Sequence, residues 1–169
     1  MNALILAAEG FEDLELFYPI MRFQEEDFEI QIASEDTEAI TGQHGYKVFP
    51  DITLADIREP SWDMVIIPSA VHMEKFASLP ITKEILRDFM ELDRRVICIG
   101  NGLQALAMAR VLKDRMVTTP KGMKTSLAHS KAILRDEAIL FDGNLVSCQS
   151  SRFLPELVGQ LLASMGIKV

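Results

Sequence analysis

Short apolar runs punctuate the chain, unbroken at residues 3–7, 64–68 and 96–99 and interrupted by Glu29 and Gln31 at 28–33, and between them apolar residues recur every three or four positions. Unbroken runs of this length suit strands covered on both faces, whereas the longer stretches carry helical period. Their alternation predicts βαβ units, and hence an α/β fold of three layers with a mostly parallel sheet and helices on both faces. A first helix is expected to begin near Phe11 and to bury Leu14, Phe17 and Met21; a later one repeats the spacing with Ile81, Ile85 and Phe89. The last helix shows the clearest stripe, Leu154, Leu157, Val158, Leu161, Leu162 and Met165, and Gly166 supplies its stop. Two stretches break this rhythm. The glycine-rich turn at residues 41–46 and the run at 139–148, split by Asp142, Gly143 and Asn144, both read as antiparallel hairpins. No proline-rich or repetitive linker interrupts the chain, so a single domain over residues 1–169 is expected.

Charge narrows the range of partners. With 25 acidic against 17 basic residues the net charge is −8, a surface that repels phosphate backbones and anionic headgroups. Neither nucleic acid nor membrane is expected to bind. The apolar runs fall far short of the roughly 20 residues that span a bilayer. The chain enters its first strand with no basic or long apolar leader, so a cytoplasmic location is expected. Cys98 and Cys148 both fall in strand-like runs, which suits small buried hydrophobes in a reducing compartment better than a disulfide.

In an open parallel sheet the loops that follow the carboxyl ends of the strands line the binding crevice, so candidate chemistry is sought there. The first such loop carries Glu9, Glu12 and Asp13, acids that complement the start of a helix and taken alone are an ordinary solvated terminus. The second, Pro68, Ser69, Ala70, Val71 and His72, offers a hydroxyl and an imidazole, although a lone histidine is more often structural. The third is the most informative: residues 96–99 run straight into Gly100, Asn101 and Gly102 and then an apolar helix at 103–112, a strand–turn–helix elbow. The turning residue of an elbow tends to need positive φ, which costs about 1–3 kcal/mol for a residue with a β-carbon and little for glycine. The three amides could cradle an anion or carbonyl at the helix start, while a G-x-G turn equally serves plain geometry.

The segments Leu4-Ile5-Leu6-Ala7-Ala8-Glu9-Gly10-Phe11-Glu12-Asp13, Phe89-Met90-Glu91, Val111-Leu112-Lys113-Asp114-Arg115-Met116-Val117-Thr118 and Asp142-Gly143-Asn144-Leu145-Val146 resemble the PfpI/ThiJ superfamily. That superfamily also contains the Parkinson-associated DJ proteins, and has peptidase-like, glyoxalase, deglycase and chaperone members. The resemblance implies a flavodoxin-like sandwich with a nucleophile-elbow-like turn at Gly100, no cofactor, and self-association as a homodimer or larger ring. It also implies a nucleophilic cysteine at the elbow and a first-loop carboxylate hydrogen-bonded to its sulfur. Glu12 matches the carboxylate, but ungapped counting from Phe89-Met90-Glu91 or back from Val117-Thr118 puts Gly100 at the nucleophile position. Three further parts depart: Ser69 and Ala70 replace the usual Gly-Gly that supplies oxyanion donors, Pro120 follows the Val-Thr strand, and Cys148-Gln149-Ser150-Ser151 replaces Ser-Arg-Gly-Pro.

Glycine and asparagine form no thioester or hemithioacetal, so cysteine chemistry at the elbow is excluded, and Glu12 is left to serve as a base, as an acceptor for a bound ligand or as a structural cap. The leading expectation is a non-catalytic member with a crevice for a small polar ligand at Glu12, Ser69, Ala70, His72, Gly100, Asn101 and Gly102. A second reading is a glyoxalase- or deglycase-like enzyme with Glu12 as general base on water, or a hydrolase that recruits Cys148 or His72. A third is an oligomeric scaffold or chaperone-like protein. Glu12 with His72 lacks the third ligand of a catalytic zinc, so no metal is expected.

Overall fold

The computed structural model describes residues 1–58, 61–123 and 127–168. In chain order the elements are β1 (Asn2–Leu6), α1 (Asp13–Gln24), β2 (Glu29–Ser34), β3 (Ile40–Thr41), β4 (Lys47–Val48), β5 (Ile52–Thr53), β6 (Met64–Ile67), α2 (Met73–Ser78), α3 (Pro80–Glu91) and β7 (Arg95–Ile99). They continue with α4 (Leu103–Ala109), β8 (Met116–Thr118), β9 (Ile133–Arg135), β10 (Ile139–Asp142), β11 (Leu145–Cys148) and α5 (Leu154–Ser164). Seven strands form the main sheet in the order β10-β11-β7-β6-β1-β2-β5, every pair parallel except the β10–β11 hairpin. The other expected hairpin closes as β3 against β4, with Ile40 opposite Val48. No helix among the described residues is long and apolar enough to cross a membrane.

Because strand side chains alternate, each central strand feeds two cores at once. Leu4, Leu6, Val65, Ile67, Val96 and Cys98 face α2, α3 and α4, where Phe76, Leu86, Phe89 and Leu106 meet them. Ala3, Ile5, Met64, Ile66, Ile97 and Ile99 face the opposite way, onto α1 and α5 through Leu16, Phe23, Leu157, Val158 and Leu161. This double coverage explains why the strands read as unbroken apolar runs. α5 stops as expected. Gly166 takes φ +79, its N–H reaches Ala163 O, and the Ile167 N–H reaches Leu162 O at 3.0 Å, satisfying two carbonyls of the last turn.

Two expectations about burial need correction. On α1, Leu14 and Met21 are 59% and 55% exposed and Phe17 is half-buried against Phe11 and Tyr46; the inward face is Leu16, Pro19 and Phe23 together with Asp13 and Glu15. The helix is turned so that its acidic first turn, and not its most regular apolar row, packs inward. On α3, Ile85 and Phe89 are buried with Leu86, but Ile81 sits in the first turn beyond the sheet and is 37% exposed. The elbow helix is also shorter than its apolar run, since Arg110 adopts a left-handed conformation (φ 63) that ends α4.

Phe89 is almost fully enclosed, so Phe89→Ala is expected to lower unfolding free energy by about 3–5 kcal/mol. Ile81→Ala, at the exposed start of the same helix, should change it by no more than about 0.5 kcal/mol. Urea denaturation of the two variants followed by circular dichroism checks both values.

Candidate functional site

Three loops meet at the carboxyl edge of β1, β6 and β7. The loop after β1 is tied to the loop after β6 by the Phe11–Ala70 bridge, by the Glu12 N–H on Ser69 O at 2.8 Å and by the Val71 N–H on Gly10 O at 2.9 Å. Gly10 is needed there, because it takes φ +74 and a β-carbon on it would lie 2.9 Å from that of Val71. The elbow follows β7. Gly100 takes φ +53, and Gly102 packs so tightly against the carbonyl of Ile67 that a β-carbon on it would overlap that oxygen. Both glycines are therefore fixed by geometry, the first by backbone conformation and the second by close approach.

Space above Gly100 is already taken. A β-carbon built on it would collide with Ser69 Oγ, which accepts from the Asn101 N–H at 3.2 Å and donates to Ile99 O at 3.1 Å. Asn101 closes the other side. Its carboxamide accepts from the Ala70 N–H at 2.9 Å and donates to Ala70 O at 2.8 Å, a two-point clasp between the elbow and the loop after β6. Of the three elbow amides expected to await an anion or carbonyl, that of Asn101 is engaged by Ser69 Oγ, and the Ser69 and Ala70 amides, at the positions of the usual Gly-Gly, are held by Glu15 and Asn101.

The carboxylate at the elbow is Glu15, not Glu12. Glu15 is 2% exposed, accepts from the Ser69 N–H at 2.7 Å, and holds Oε1 3.7 Å from where a β-carbon on Gly100 would stand. Glu12 instead caps α1, its Oε2 accepting from the Glu15 N–H at 2.8 Å. One helical turn separates the two acids, and it decides which of them meets the sheet. Burial pushes the Glu15 carboxyl above its ordinary value, the hydrogen bonds from Ser69 offset this in part, and the charge of Glu12 adds to the rise.

Asp13 was not singled out by the sequence, yet it is 4% exposed and organises the β3–β4 turn. It accepts from the His44 N–H at 2.9 Å and the Tyr46 N–H at 3.4 Å, and its Oδ2 lies 3.1 Å from His44 Nδ1. Gly42 faces it so closely that a β-carbon there would lie 2.6 Å from Asp13 Oδ2. Burial alone would raise the Asp13 pKa, but the hydrogen bonds from His44 and Tyr46 outweigh it and hold the group below its ordinary value. The glycine-rich hairpin was the available signal: its bare turn needs an acceptor.

His72 does not join the elbow. It stands exposed at the start of α2 and lines a cavity of about 250 Å³ with Ala8, Glu9, Glu35, Lys75 and Phe76. Neither cysteine has the lowered thiol pKa of a nucleophile. Cys98 is enclosed within β7, where burial pushes its thiol far up, and Cys148 is pushed up to about 11, chiefly by burial, with its Sγ donating to Ser150 O.

Comparison with known proteins agrees with this architecture. The profile of the DJ-1/PfpI family matches residues 1–164. An uncharacterised protein of Archaeoglobus fulgidus is 36% identical over 162 residues, covering 96% of each chain. The deglycase PfpI of Pyrococcus furiosus is 35% identical over 147 residues, covering 87% of this chain and 89% of its own. A two-domain protein of Anabaena variabilis with DJ-1/ThiJ/PfpI-like and ferritin-like domains superposes with a TM-score of 0.94 at 23% identity, covering 98% of this chain and 48% of that longer one.

The two buried acids predict opposite pH effects. Folding raises the Glu15 pKa above its ordinary 4.5, so its contribution to stability is whole below that value and is lost as pH rises through the folded value. Folding lowers the Asp13 pKa, so its contribution is present above 3.8 and is lost as pH falls below it. Glu15→Gln keeps an acceptor for the Ser69 N–H and removes the charge. It is expected to be more stable than wild type near neutral pH, with the gain vanishing near about pH 4, as measured by urea denaturation across that range.

Proposed function

The chain belongs to the DJ-1/PfpI family, and from that premise we propose that it is a non-catalytic member, one that has kept the elbow as architecture and works by binding a small polar ligand. The family includes deglycases and proteases. A covalent route through the elbow needs a nucleophile with room to carry its intermediate, and free donors for the developing oxyanion. The observation that carries the reading is the Ser69 hydroxyl in the volume a β-carbon of residue 100 would occupy. Support comes from the Asn101 clasp, which spends the Ala70 N–H, and from Glu15, which spends that of Ser69. The polar cavity beside His72, with Glu9, Glu35 and Lys75, offers such a ligand a place one loop away from the elbow.

One feature favours a second reading. Glu15, with its raised pKa, is the general acid or base that a cysteine-free reaction would use, a role the capping of α1 denies to Glu12. Methylglyoxal turnover separates the two. Wild type and Gly100→Cys are both expected to be inactive, the latter because Ser69 blocks the new side chain, while Ser69→Gly with Gly100→Cys regains measurable turnover. Wild-type turnover lost in Glu15→Gln would overturn the non-catalytic reading in favour of acid–base catalysis.

Self-association fits the same reading, since Leu14 and Met21 leave an apolar row exposed along α1. Light scattering behind size exclusion is expected to give a dimer or larger for wild type and a monomer for Leu14→Glu with Met21→Glu. A wild-type monomer would refute the assembly.

A further inference from the structure

Along α4, from Gln104 near its start to Arg110 just past its end, runs a cavity of about 530 Å³, lined also by Ala107, Met108, Lys113, His129, Ser130 and Lys131. Three permanent cations and a histidine converge on it from two separate segments, the end of α4 and the turn that precedes β9. No carboxylate lines it. Among the described residues, none of these four basic side chains has an ion pair or a side-chain hydrogen bond, in a chain whose acids outnumber its bases by 25 to 17. Asp114 is a chain neighbour of Lys113 but is not part of the lining.

Backbone conformation singles out the same place. Five non-glycine residues among those described take positive φ. Three are aspartates, whose short side chain tolerates the left-handed region. The other two are Arg110 and Lys131, at φ 63 and 59, and both line this cavity. Glycine or asparagine would hold either turn with less strain, so long cations at both positions are held against local preference. The plain reading, a cation complementing the carboxyl end of α4, accounts for Arg110 alone. It leaves Lys131 and His129, on another segment, without a reason to face the same hollow.

We propose that this cavity is a binding site for a phosphorylated small molecule. Uncompensated like charges gathered in one hollow repel one another, and a phosphate group of two negative charges relieves that repulsion. Arg110 offers a planar fork for two of its oxygens, Lys113 and Lys131 offer point charges, and Met108 with Ala107 offers an apolar surface to the carbon skeleton. The volume falls within the range of small-molecule pockets and exceeds what bare phosphate needs. None of Gly100, Asn101 and Gly102 lines this cavity, and the proposal does not depend on how the elbow is read.

Titration calorimetry of the full chain with glucose 6-phosphate and with pyrophosphate tests the assignment. Both are expected to bind at low ionic strength and to weaken as salt is added. Arg110→Gly with Lys131→Gly is expected to lose at least about tenfold in affinity, while its melting temperature stays at or above that of wild type because two left-handed positions are relieved. Should that variant fail to fold, Lys113→Gln with His129→Gln, at ordinary backbone positions, carries the same loss. Absence of binding by both phosphate compounds, or unchanged affinity in the variants, overturns the proposal. Citrate binding as tightly as either phosphate compound also overturns it, in favour of a site for polycarboxylates.

Discussion

Where β7 turns into α4 the chain has almost no freedom. Gly102 lies against the Ile67 carbonyl, so β6 and β7 end at a fixed separation, and Gly100 must turn through positive φ to bring the helix onto the sheet. The turn is then sealed from the neighbouring loop, with Ser69 Oγ bonded to both flanks of Gly100 and the Asn101 carboxamide clasping Ala70. Each of these bonds contributes about 1 kcal/mol net, yet leaving any of the partners buried and unpaired would cost more. The elbow is therefore held by polar satisfaction as much as by apolar packing, and the loop after β1 inherits its place from it through Phe11 and Ala70.

The first turn of α1 shows how position rather than residue type sets acidity. Asp13 and Glu15 are two residues apart and both nearly fully enclosed, yet their pKa values move in opposite directions. Asp13 is surrounded by donors from the β3–β4 turn, which favour the charged form more than burial penalises it. Glu15 is met by donors from Ser69 and Ser151 but lies beside another carboxylate, so burial dominates. A helix start is thus asked to do two jobs at once: one acid braces a hairpin, the other faces the elbow.

Much of this was legible in the residues. Unbroken runs such as 64–68 announced strands covered on both faces, and the glycine pattern after Ile99 announced the elbow, because both signals are local. What could not be read was helical phase. Taking Leu14, Phe17 and Met21 as the inward row turns α1 so that Glu15 points away, which left the resemblance to place the carboxylate at Glu12. The correct phase would have brought Glu15 to the sheet beside the elbow. The misplaced row arose because the true inward face, with Asp13, Glu15 and Pro19 among Leu16 and Phe23, does not look apolar. Asp13 and the Asn101 clasp were hidden for a related reason: each bonds across about 30 positions of sequence, where no spacing rule reaches.

The crowding of Ser69 against residue 100 also bears on how such a chain can change over time. A side chain at position 100 and the Ser69 hydroxyl compete for one volume, so a substitution at position 100 has to displace that hydroxyl from its two hydrogen bonds. Clearing position 69 first would give up both bonds before any side chain stood at position 100 to make use of the space. The filled elbow thus couples the two positions: whatever changes at one is felt first at the other.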